Sequence, residues 1–237
     1  MVKNKRKNSA SSANNWQSHV ITDSGSLVAE RYRTLRTNIE FSMREREIRS
    51  ILVASAGPGE GKTTTAANLA VVYAQTGRNT VYLDCDLRSP AGHKAFNVAN
   101  PMGMTNILTG KSVPSEVVQK VEAVPHLYVI TSGPIPPNPA ELLGSANMVE
   151  IMQTLYNIFD VIIIDSPPIV NVTDAQIISR HVDGVLVVAR SRKTDKRALM
   201  KARKLLEQVR ANIIGSVMNS VEAEESAYYY SYYYAEE

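Results

Sequence analysis

The chain has 237 residues, of which 44% are hydrophobic and 21% charged, a composition typical of a globular protein with one substantial core. It contains one cysteine, Cys85, so we expect neither a disulfide framework nor a metal or cluster site built from paired cysteines. No apolar run reaches the roughly 18 residues that a membrane helix needs, and no apolar stretch follows the basic start as it would in a secretory signal. We therefore expect a cytoplasmic protein.

The net charge of +3 conceals an uneven distribution along the chain. Residues 1–7 hold four cations and no acid, whereas residues 221–237 hold five glutamates and no base. The basic start has two interpretations: a solvated tail, or weak attraction to anionic lipid of about 1 kcal/mol per cation. The last ten residues, YYYSYYYAEE, lack the alternation of a half-buried strand and predict an exposed tail. The predicted organisation is a flexible basic segment (1–24), one domain (25–221) and a flexible acidic, tyrosine-rich tail (222–237).

In chain order, the first predicted element is a helix over 26–43. Ser26 suits its N-cap, and apolar residues recur at roughly helical intervals: Leu27, Tyr32, Leu35, Ile39 and Phe41. Apolar strands then alternate with amphipathic helices. The predicted strands are 50–55, 80–84, 127–131, 160–165, 184–189 and 213–218. The predicted helices are 62–76, 147–157, 173–181 and 195–210. Short β-rich runs separated by helices predict an α/β fold, with a mostly parallel sheet covered by helices on both faces.

The first strand runs directly into AGPGEGKTTT, which begins at Ala56 and opens the next helix. This matches the phosphate-loop pattern G-x-x-x-x-G-K-[ST], with Ala56 in place of the first glycine. Its glycines let backbone amides converge on phosphate oxygens at a helix N-terminus, Lys62 reaches the β- and γ-phosphates, and Thr63 coordinates Mg²⁺. The predicted nucleotide contacts in this loop are Gly57, Pro58, Gly59, Glu60, Gly61, Lys62, Thr63 and Thr64.

Three aspartates follow predicted strands. Asp84 and Asp86 end the second strand, and Asp165 ends the strand DVIIID. Because the carboxyl ends of parallel strands line the ligand crevice, we expect all three beside the phosphate loop. A magnesium ion is held through one or two carboxylates plus phosphates, so Thr63, Asp86 and Asp165 form the predicted metal site. Asp84 then faces the acceptor hydroxyl, which makes Lys62, Asp84 and Asp86 the predicted catalytic set.

Several motifs occur together in this chain in a specific order. The loop A-x-P-G-x-G-K-T-T precedes a strand end D-x-D-x-R and a second strand end of hydrophobic residues followed by D-S-P-P. Ahead of the loop stands E-x-x-R-x-x-R, formed by Glu30, Arg33 and Arg36, and later come SGPIPPNPAELL and the tyrosine-rich tail. From about residue 24 onward, this set resembles the bacterial tyrosine kinases of capsular and exopolysaccharide export.

The resemblance implies an ATP- and Mg²⁺-dependent protein tyrosine kinase on a P-loop NTPase fold, in which one subunit phosphorylates the tail of its neighbour. The implied phosphorylation sites are Tyr228, Tyr229, Tyr230, Tyr232, Tyr233 and Tyr234. Asn219, which ends the last predicted strand, is expected to contact the adenine edge, as in related ATPases.

The resemblance also implies partners. Glu30, Arg33 and Arg36 would contribute to a ring-shaped homo-oligomer, although on their own these three residues are also consistent with a solvated helix face. A membrane-bound activator subunit would act through its cytoplasmic tail and recruit the kinase to the inner face of the cell membrane. A cognate phosphotyrosine phosphatase is expected, and no nucleic acid.

The last predicted helix is strongly basic, and its role stays open. A solvated face is one interpretation, and contact with a membrane or a neighbouring molecule is the other. Its cations are Lys196, Arg197, Lys201, Arg203, Lys204 and Arg210.

Two other functions fit the same fold. Switch ATPases of the partitioning or septum-positioning kind carry a lysine early in the loop, in K-G-G-x-G-K-T, where this chain has Gly57. A non-catalytic subunit that binds ATP and docks on an export machine is the other possibility. Incubation with ATP, Mg²⁺ and the cytoplasmic peptide of the partner, followed by phosphotyrosine mass spectrometry, distinguishes a kinase from such a subunit. A cluster-carrying reductase is disfavoured because it needs paired cysteines.

Overall fold

The computed structural model describes residues 18, 21, 23–42 and 47–221. Its strands are β1 (Ser50–Ser55), β2 (Thr80–Asp84), β3 (Gln119–Lys120), β4 (Leu127–Ile130), β5 (Val161–Asp165), β6 (Gly184–Arg190) and β7 (Ile213–Asn219). Its α-helices are α1 (Leu27–Ser42), α2 (Lys62–Ala74), α3 (Gly92–Phe96), α4 (Met104–Leu108), α5 (Pro114–Val117), α6 (Pro139–Leu143), α7 (Ala146–Ile158), α8 (Asp174–Ile178) and α9 (Lys196–Gln208). A short 3₁₀ turn, Ser179–His181, follows α8.

All seven strands form one sheet in the order β3-β4-β2-β5-β1-β6-β7. Every pairing is parallel except that between β3 and β4. The residues of β1, β2 and β5 are completely buried, because helices cover both faces and every second side chain points to each face. Since β1 lies between β5 and β6, the loop that follows β1 emerges near the middle of the carboxyl edge of the sheet.

The core is divided by the sheet into two apolar clusters. On one face, Ile51 and Val53 of β1 pack with residues of α1, α2 and α3. On the other face, Leu52 and Ala54 pack with residues of α4 to α9. The predicted α/β fold with a mostly parallel sheet and helices on both faces is therefore confirmed.

The six predicted strands and five predicted helices are all present, with ends that agree or differ by at most three residues. The sequence analysis missed β3 and the four short helices α3 to α6. Elements of two to five residues are too short to show a period of two or of 3.6 residues, so apolar patterning does not reveal them.

The helix α1 begins as predicted, since the Ser26 hydroxyl accepts a hydrogen bond from the amide of Ala29 at 3.2 Å, an N-cap contact. Its apolar residues are not all buried, however. Ile39 is buried, but Leu27 is 66% exposed and Phe41 is 77% exposed. The helical spacing of these residues thus predicted the helix without predicting a single buried stripe.

Residues of the predicted flexible segment 1–24 contact the domain, Ser18 and Ile21 among them. Ser18 is buried, and its hydroxyl donates to Asn68 Oδ1 at 2.7 Å. Ile21 packs against the cluster on the α2 face. Residues 1–17, 19, 20 and 22 and the whole tail from residue 222, including its six tyrosines, lie outside the described residues. Among the helices that the structure describes, none is long and apolar enough to cross a membrane.

A carboxylate fixes the opposite, amino-terminal edge of the sheet. Asp183 precedes β6, and its Oδ2 accepts hydrogen bonds from the amides of Arg49 and Ser50, at 3.0 and 2.9 Å. The Ser50 hydroxyl also donates to this oxygen at 3.1 Å and accepts from the Asp183 amide at 2.8 Å. These bonds hold β1 against β6 and so fix where the loop after β1 emerges.

Replacing this carboxylate should destabilise the fold. We expect Asp183→Ala to lower the free energy of unfolding by about 2–3 kcal/mol, because two amides and a hydroxyl lose their acceptor. Urea denaturation followed by circular dichroism measures the change. The matched control is Glu207→Ala, which removes an exposed carboxylate 2.7 Å from Arg203 and should cost less than about 1 kcal/mol. Equal costs for both variants would contradict the role given to Asp183.

Candidate functional site

The loop between β1 and α2 has the geometry of an anion cradle. Gly59 and Gly61 have φ angles of 70° and 97°, in the left-handed region that favours glycine. Gly61 also has no room for a side chain, because a Cβ there would lie 2.0 Å from Asn219 Nδ2. The N-terminus of α2 follows directly, so its first amides and the positive end of its dipole face the loop.

Four of the predicted site residues converge beside this loop. Asp84 and Asp165 are the last residues of β2 and β5 and are partners in the register of these neighbouring strands. Lys62, the first residue of α2, places its Nζ 3.1 Å from Asp86 Oδ2. All three carboxylates are nearly or completely buried.

The hydrogen bonds of the carboxylates distinguish their environments. Asp84 accepts through Oδ2 from the Gly92 amide at 2.8 Å and through Oδ1 from the Asp86 amide at 3.2 Å. Asp165 Oδ2 accepts from the Tyr82 hydroxyl at 3.1 Å, whereas its Oδ1 is buried with no hydrogen-bond partner. A buried carboxylate oxygen in that state retains its capacity to bind a ligand.

Burial and mutual repulsion perturb the titration of these groups. Burial, with a further contribution from Asp165, raises the pKa of Asp84 to about 7. Burial also raises the pKa of Asp165, although Lys62 and Thr63 oppose the shift. For Lys62, burial alone would lower the pKa, but Asp165 and Asp86 outweigh it and raise the pKa above its ordinary value. The lysine therefore stays charged between the acids.

The residues at this site fit a magnesium ion that also binds phosphates. Among the described residues, no group of three or more acidic, histidine or cysteine side chains could hold a metal by itself. Magnesium does not require such a group, because it takes one or two carboxylates and fills its shell with waters and phosphate oxygens. The partnerless Oδ1 of Asp165 and the carboxylate of Asp86 offer such oxygens.

Two cavities meet at the loop, and both are lined by Gly59, Gly61 and Thr64. The first, of about 590 Å³, extends toward α1 and the end of β7, where Tyr32 and Asn219 line it. The second, of about 420 Å³, is lined by Lys62, Thr63, Asp86, Arg88, Ser89, Ala91, Pro167, Pro168, Asn171 and Val172, besides loop residues. Asp84 lies behind this wall and is completely buried.

Several residues contribute to the site besides those in the predicted set. Tyr82 bonds Asp165, and Gly92 bonds Asp84. Arg88 donates two hydrogen bonds to the buried Asp174, at 2.9 and 3.0 Å, and so holds its guanidinium at the second cavity. The D-x-D-x-R motif indicated the arginine, but no local signal joins it to an aspartate on α8.

The glycine loop also receives two cations from the end of β6. Arg190 and Lys193 both donate to the carbonyl oxygen of Gly59, at 3.3 and 3.4 Å. Asn219 donates to the carbonyl oxygen of Glu60 at 3.4 Å, so it lies against the loop at the edge of the first cavity.

The predicted oligomer residues have contacts within the chain. Arg33 donates to Glu30 Oε2 at 2.8 Å and to the carbonyl oxygen of Ser24 at 2.6 Å. Arg36 donates to the carbonyl oxygen of Val72 at 2.9 Å, which ties α1 to the C-terminal end of α2. Glu30 and Arg33 therefore form a surface pair, whereas the side chain of Arg36 points toward α2.

Comparison with known proteins gives consistent matches. Residues 47–228 match the family model described as "ParA: NUBPL iron-transfer P-loop NTPase". The tyrosine-protein kinase YwqD of Bacillus subtilis is 47% identical over 199 residues, which cover 84% of each chain.

Solved structures agree with these matches. The chimerical protein CapA2B2 is 38% identical, with a TM-score of 0.82 over 85% of this chain and 88% of the other. The kinase domain of the Escherichia coli tyrosine kinase ETK is 32% identical, with a TM-score of 0.80 over 86% of this chain and 81% of the other. The septum site-determining protein MinD of Pyrococcus horikoshii, 21% identical over 72% and 69% of the two chains with a TM-score of 0.62, shares the fold.

The raised pKa of Asp84 predicts a pH dependence of stability. Its pKa is about 7 in the folded chain and about 4 when unfolded, so folding binds a proton between these values and stability falls as pH rises through this window. Asp84→Asn cannot ionise. We therefore expect the difference in unfolding free energy between this variant and wild type to shift in favour of the variant by about 2–3 kcal/mol as the pH rises from 5 to 8. Urea denaturation in EDTA without nucleotide measures this difference, and a pH-independent difference would contradict the shift.

Proposed function

Since the chain belongs to the bacterial tyrosine-protein kinases, within the ParA-type P-loop NTPases, we propose that it transfers the γ-phosphoryl group of ATP to tyrosine hydroxyls, those of its own tail among them. The observation that best supports this phosphoryl transfer is that Lys62, Asp84, Asp86 and Asp165 lie together at the N-terminus of α2. A control of capsular or exopolysaccharide synthesis through this activity is the cellular role that we propose.

The two cavities suggest where the substrates bind. We assign the adenosine of ATP to the first cavity, with Asn219 at the adenine edge and Tyr32 on the α1 side. The phosphates lie on the amides from Gly57 to Thr64, which belong to the loop before α2 and to the first turn of that helix. The second cavity, beyond Lys62, then receives the acceptor tyrosine.

Phosphoryl transfer depends mainly on positioning and charge neutralisation. The phenol oxygen bonds to the γ-phosphorus while the bond from that phosphorus to the β–γ bridging oxygen breaks, and ADP leaves. Lys62 and the loop amides stabilise the charge on the transferred group. Thr63, Asp86 and Asp165 would hold Mg²⁺, which neutralises phosphate charge when bound.

We propose that Asp84 takes the proton of the phenol. A free phenol has a pKa of about 10. A carboxylate with a pKa of about 7, such as Asp84, suits general base catalysis at neutral pH. Asp84 is completely buried and does not line the second cavity. We propose that the phosphates draw Lys62 away from Asp86, to which it is paired at 3.1 Å, and that this movement opens access to Asp84. Charge attraction between the phosphates and the lysine favours that movement.

The tail and the α1 surface suggest how subunits cooperate. Six tyrosines in an acidic tail can enter the crevice of a neighbouring subunit, and the exposed pair of Glu30 and Arg33 is available for a contact between subunits in a ring. We propose a membrane-anchored activator subunit that recruits the chain to the inner face of the membrane, and a phosphatase that reverses the reaction.

The rival functions have less support. Gly57 stands where the switch ATPases carry their lysine, and the likeness to MinD reaches only the fold. Iron transfer would need paired cysteines, and Cys85, the one cysteine of the sequence, is buried. A non-catalytic regulatory subunit would bind ATP without forming phosphotyrosine, which the following experiment distinguishes.

Lys62→Ala should lower the rate of phosphotyrosine formation about 10²- to 10³-fold, because the charge on the transferred group loses its cation. Incubation of the purified chain with ATP, Mg²⁺ and the partner's cytoplasmic peptide, followed by phosphotyrosine mass spectrometry, measures the rate. Lys111→Ala, an exposed lysine away from both cavities, is the matched control. If Lys62→Ala retained wild-type phosphorylation while folded by circular dichroism, the site assignment would be wrong.

Phosphorylation between subunits can be tested by mixing two variants. The chain with its six tail tyrosines replaced by phenylalanine keeps the site but lacks acceptors, and Lys62→Ala keeps the acceptors but lacks the site. We expect neither variant alone to incorporate phosphate in the tail, whereas in the mixture the Lys62→Ala chain becomes labelled. As a control, the phenylalanine variant must phosphorylate a separate tail peptide, which shows that its site is active. If it does so and the Lys62→Ala chain in the mixture still carries no phosphate, then tail phosphorylation between subunits is contradicted.

A further inference from the structure

The exposed side of α9 presents a group of cations that the proposed reaction does not use. Four of them, called here the basic stripe, are all exposed and line one shallow depression together with Met200 and a single acid, Asp195: Lys196, Arg197, Lys201 and Lys204. Arg197, Lys201 and Lys204 follow one another at intervals of four and three residues, and Lys196 precedes Arg197 directly, so the four lie on one side of the helix. In the part of the chain that the structure describes, none of the four forms an ion pair, whereas the neighbouring Arg203 pairs with Glu207 at 2.7 Å.

An apolar groove lies directly beside the basic stripe. It occupies about 610 Å³ between α9 and the edge strand β7. Its apolar lining comprises Val187, Leu199, Met200, Ala211 and Ile213, and the paired Arg203 and Glu207, with Gly215 and Ser216, complete it. Met200 is 47% exposed and borders both the groove and the stripe. Aromatic rings and anionic groups could therefore be bound side by side.

We propose that the basic stripe and this groove dock the chain's own tail, residues 222–237, after its tyrosines are phosphorylated. The phosphates contact the stripe, and the tyrosine rings lie in the groove. This inference rests on the proposed function, since it presupposes that the tail is a substrate.

The position of the tail supports docking within one subunit. β7 ends at Asn219, whose carbonyl oxygen accepts from the Ser191 amide at 2.9 Å, so the chain leaves the sheet close to the segment that leads into α9. Seven residues, 222–228, span up to about 23 Å when extended. The 13 residues of α9 measure about 20 Å, so the phosphotyrosines can reach the whole stripe.

The charges are complementary, and phosphorylation strengthens them. The tail has five glutamates and no base, and each phosphate adds about −1.5 to −2 charge. Cations bind phosphate by charge-assisted hydrogen bonds that a phenol cannot match. A phosphorylated tail held on its own α9 is withdrawn from the neighbour's crevice, so product would leave the site free for a fresh acceptor.

Binding of synthetic tail peptides tests this inference. Fluorescein-labelled peptides of residues 222–237, with all six tyrosines phosphorylated or none, are titrated with the dephosphorylated full-length chain and followed by fluorescence anisotropy. We expect the phosphopeptide to bind at least about tenfold more tightly, and its binding to weaken with added salt. Because synthesis supplies the phosphates, a failure here would overturn the docking without contradicting the kinase activity.

Charge reversal of the stripe should weaken phosphopeptide binding at least about tenfold, since several phosphate contacts are lost together. The variant is K196E/R197E/K201E/K204E. The matched control reverses four exposed cations elsewhere in the domain: K94E/K111E/K120E/R180E. It should bind within about twofold of wild type. Replacement of the four stripe cations by glutamine provides a second variant if charge reversal prevents folding.

Three results would overturn the proposal. The first is equal affinity for the two peptides, and the second is an equal loss in the stripe and control variants. The third is unchanged phosphopeptide binding in the stripe variant together with loss of its binding to phosphatidylserine-containing vesicles, which would assign the stripe to a lipid surface.

Discussion

The structure depends on the burial of two neighbouring carboxylates at the carboxyl edge of the sheet. Asp84 and Asp165 are register partners on completely buried strands, and charges in such a place are strongly destabilising unless they are compensated. Lys62 supplies a cation, Gly92 and Tyr82 supply hydrogen bonds, and the raised pKa values of both acids reduce their charge. A binding site for anions and cations is thus kept at the expense of stability.

This compensation restricts the residues around the acids. A Cβ at Gly92 would lie 2.5 Å from the Tyr82 ring and 2.9 Å from Asp84 Oδ2, so the amide that bonds Asp84 can come only from a glycine. Gly61 is restricted in the same way by Asn219. The glycine loop and the acids are therefore positioned by contacts that extend from α3 to the end of β7.

Much of this arrangement could be predicted, because apolar runs reveal long strands and parallel strands bring their carboxyl ends to one edge. The phosphate loop, Asp84, Asp86 and Asp165 followed from that rule. The support that Tyr82 and Asp174 provide could not, since each bonds a residue more than 80 positions away, on an element that no local pattern connects to it. Likewise, the spacing of apolar residues on α1 did not distinguish the buried Ile39 from the exposed Phe41.

The helix α1 contributes residues both to the first cavity and to the surface of the domain. Tyr32 lines the cavity beside the phosphate loop, while Glu30 and Arg33, on the same helix, form a surface pair. Arg36 fixes the helix to the carbonyl oxygen of Val72 at the end of α2, whose first residue is Lys62. The cavity-lining Tyr32 and the surface pair are thus carried by one helix that is bonded to α2. Any shift of α1 as a whole would change the lining of the cavity and the position of the surface pair together.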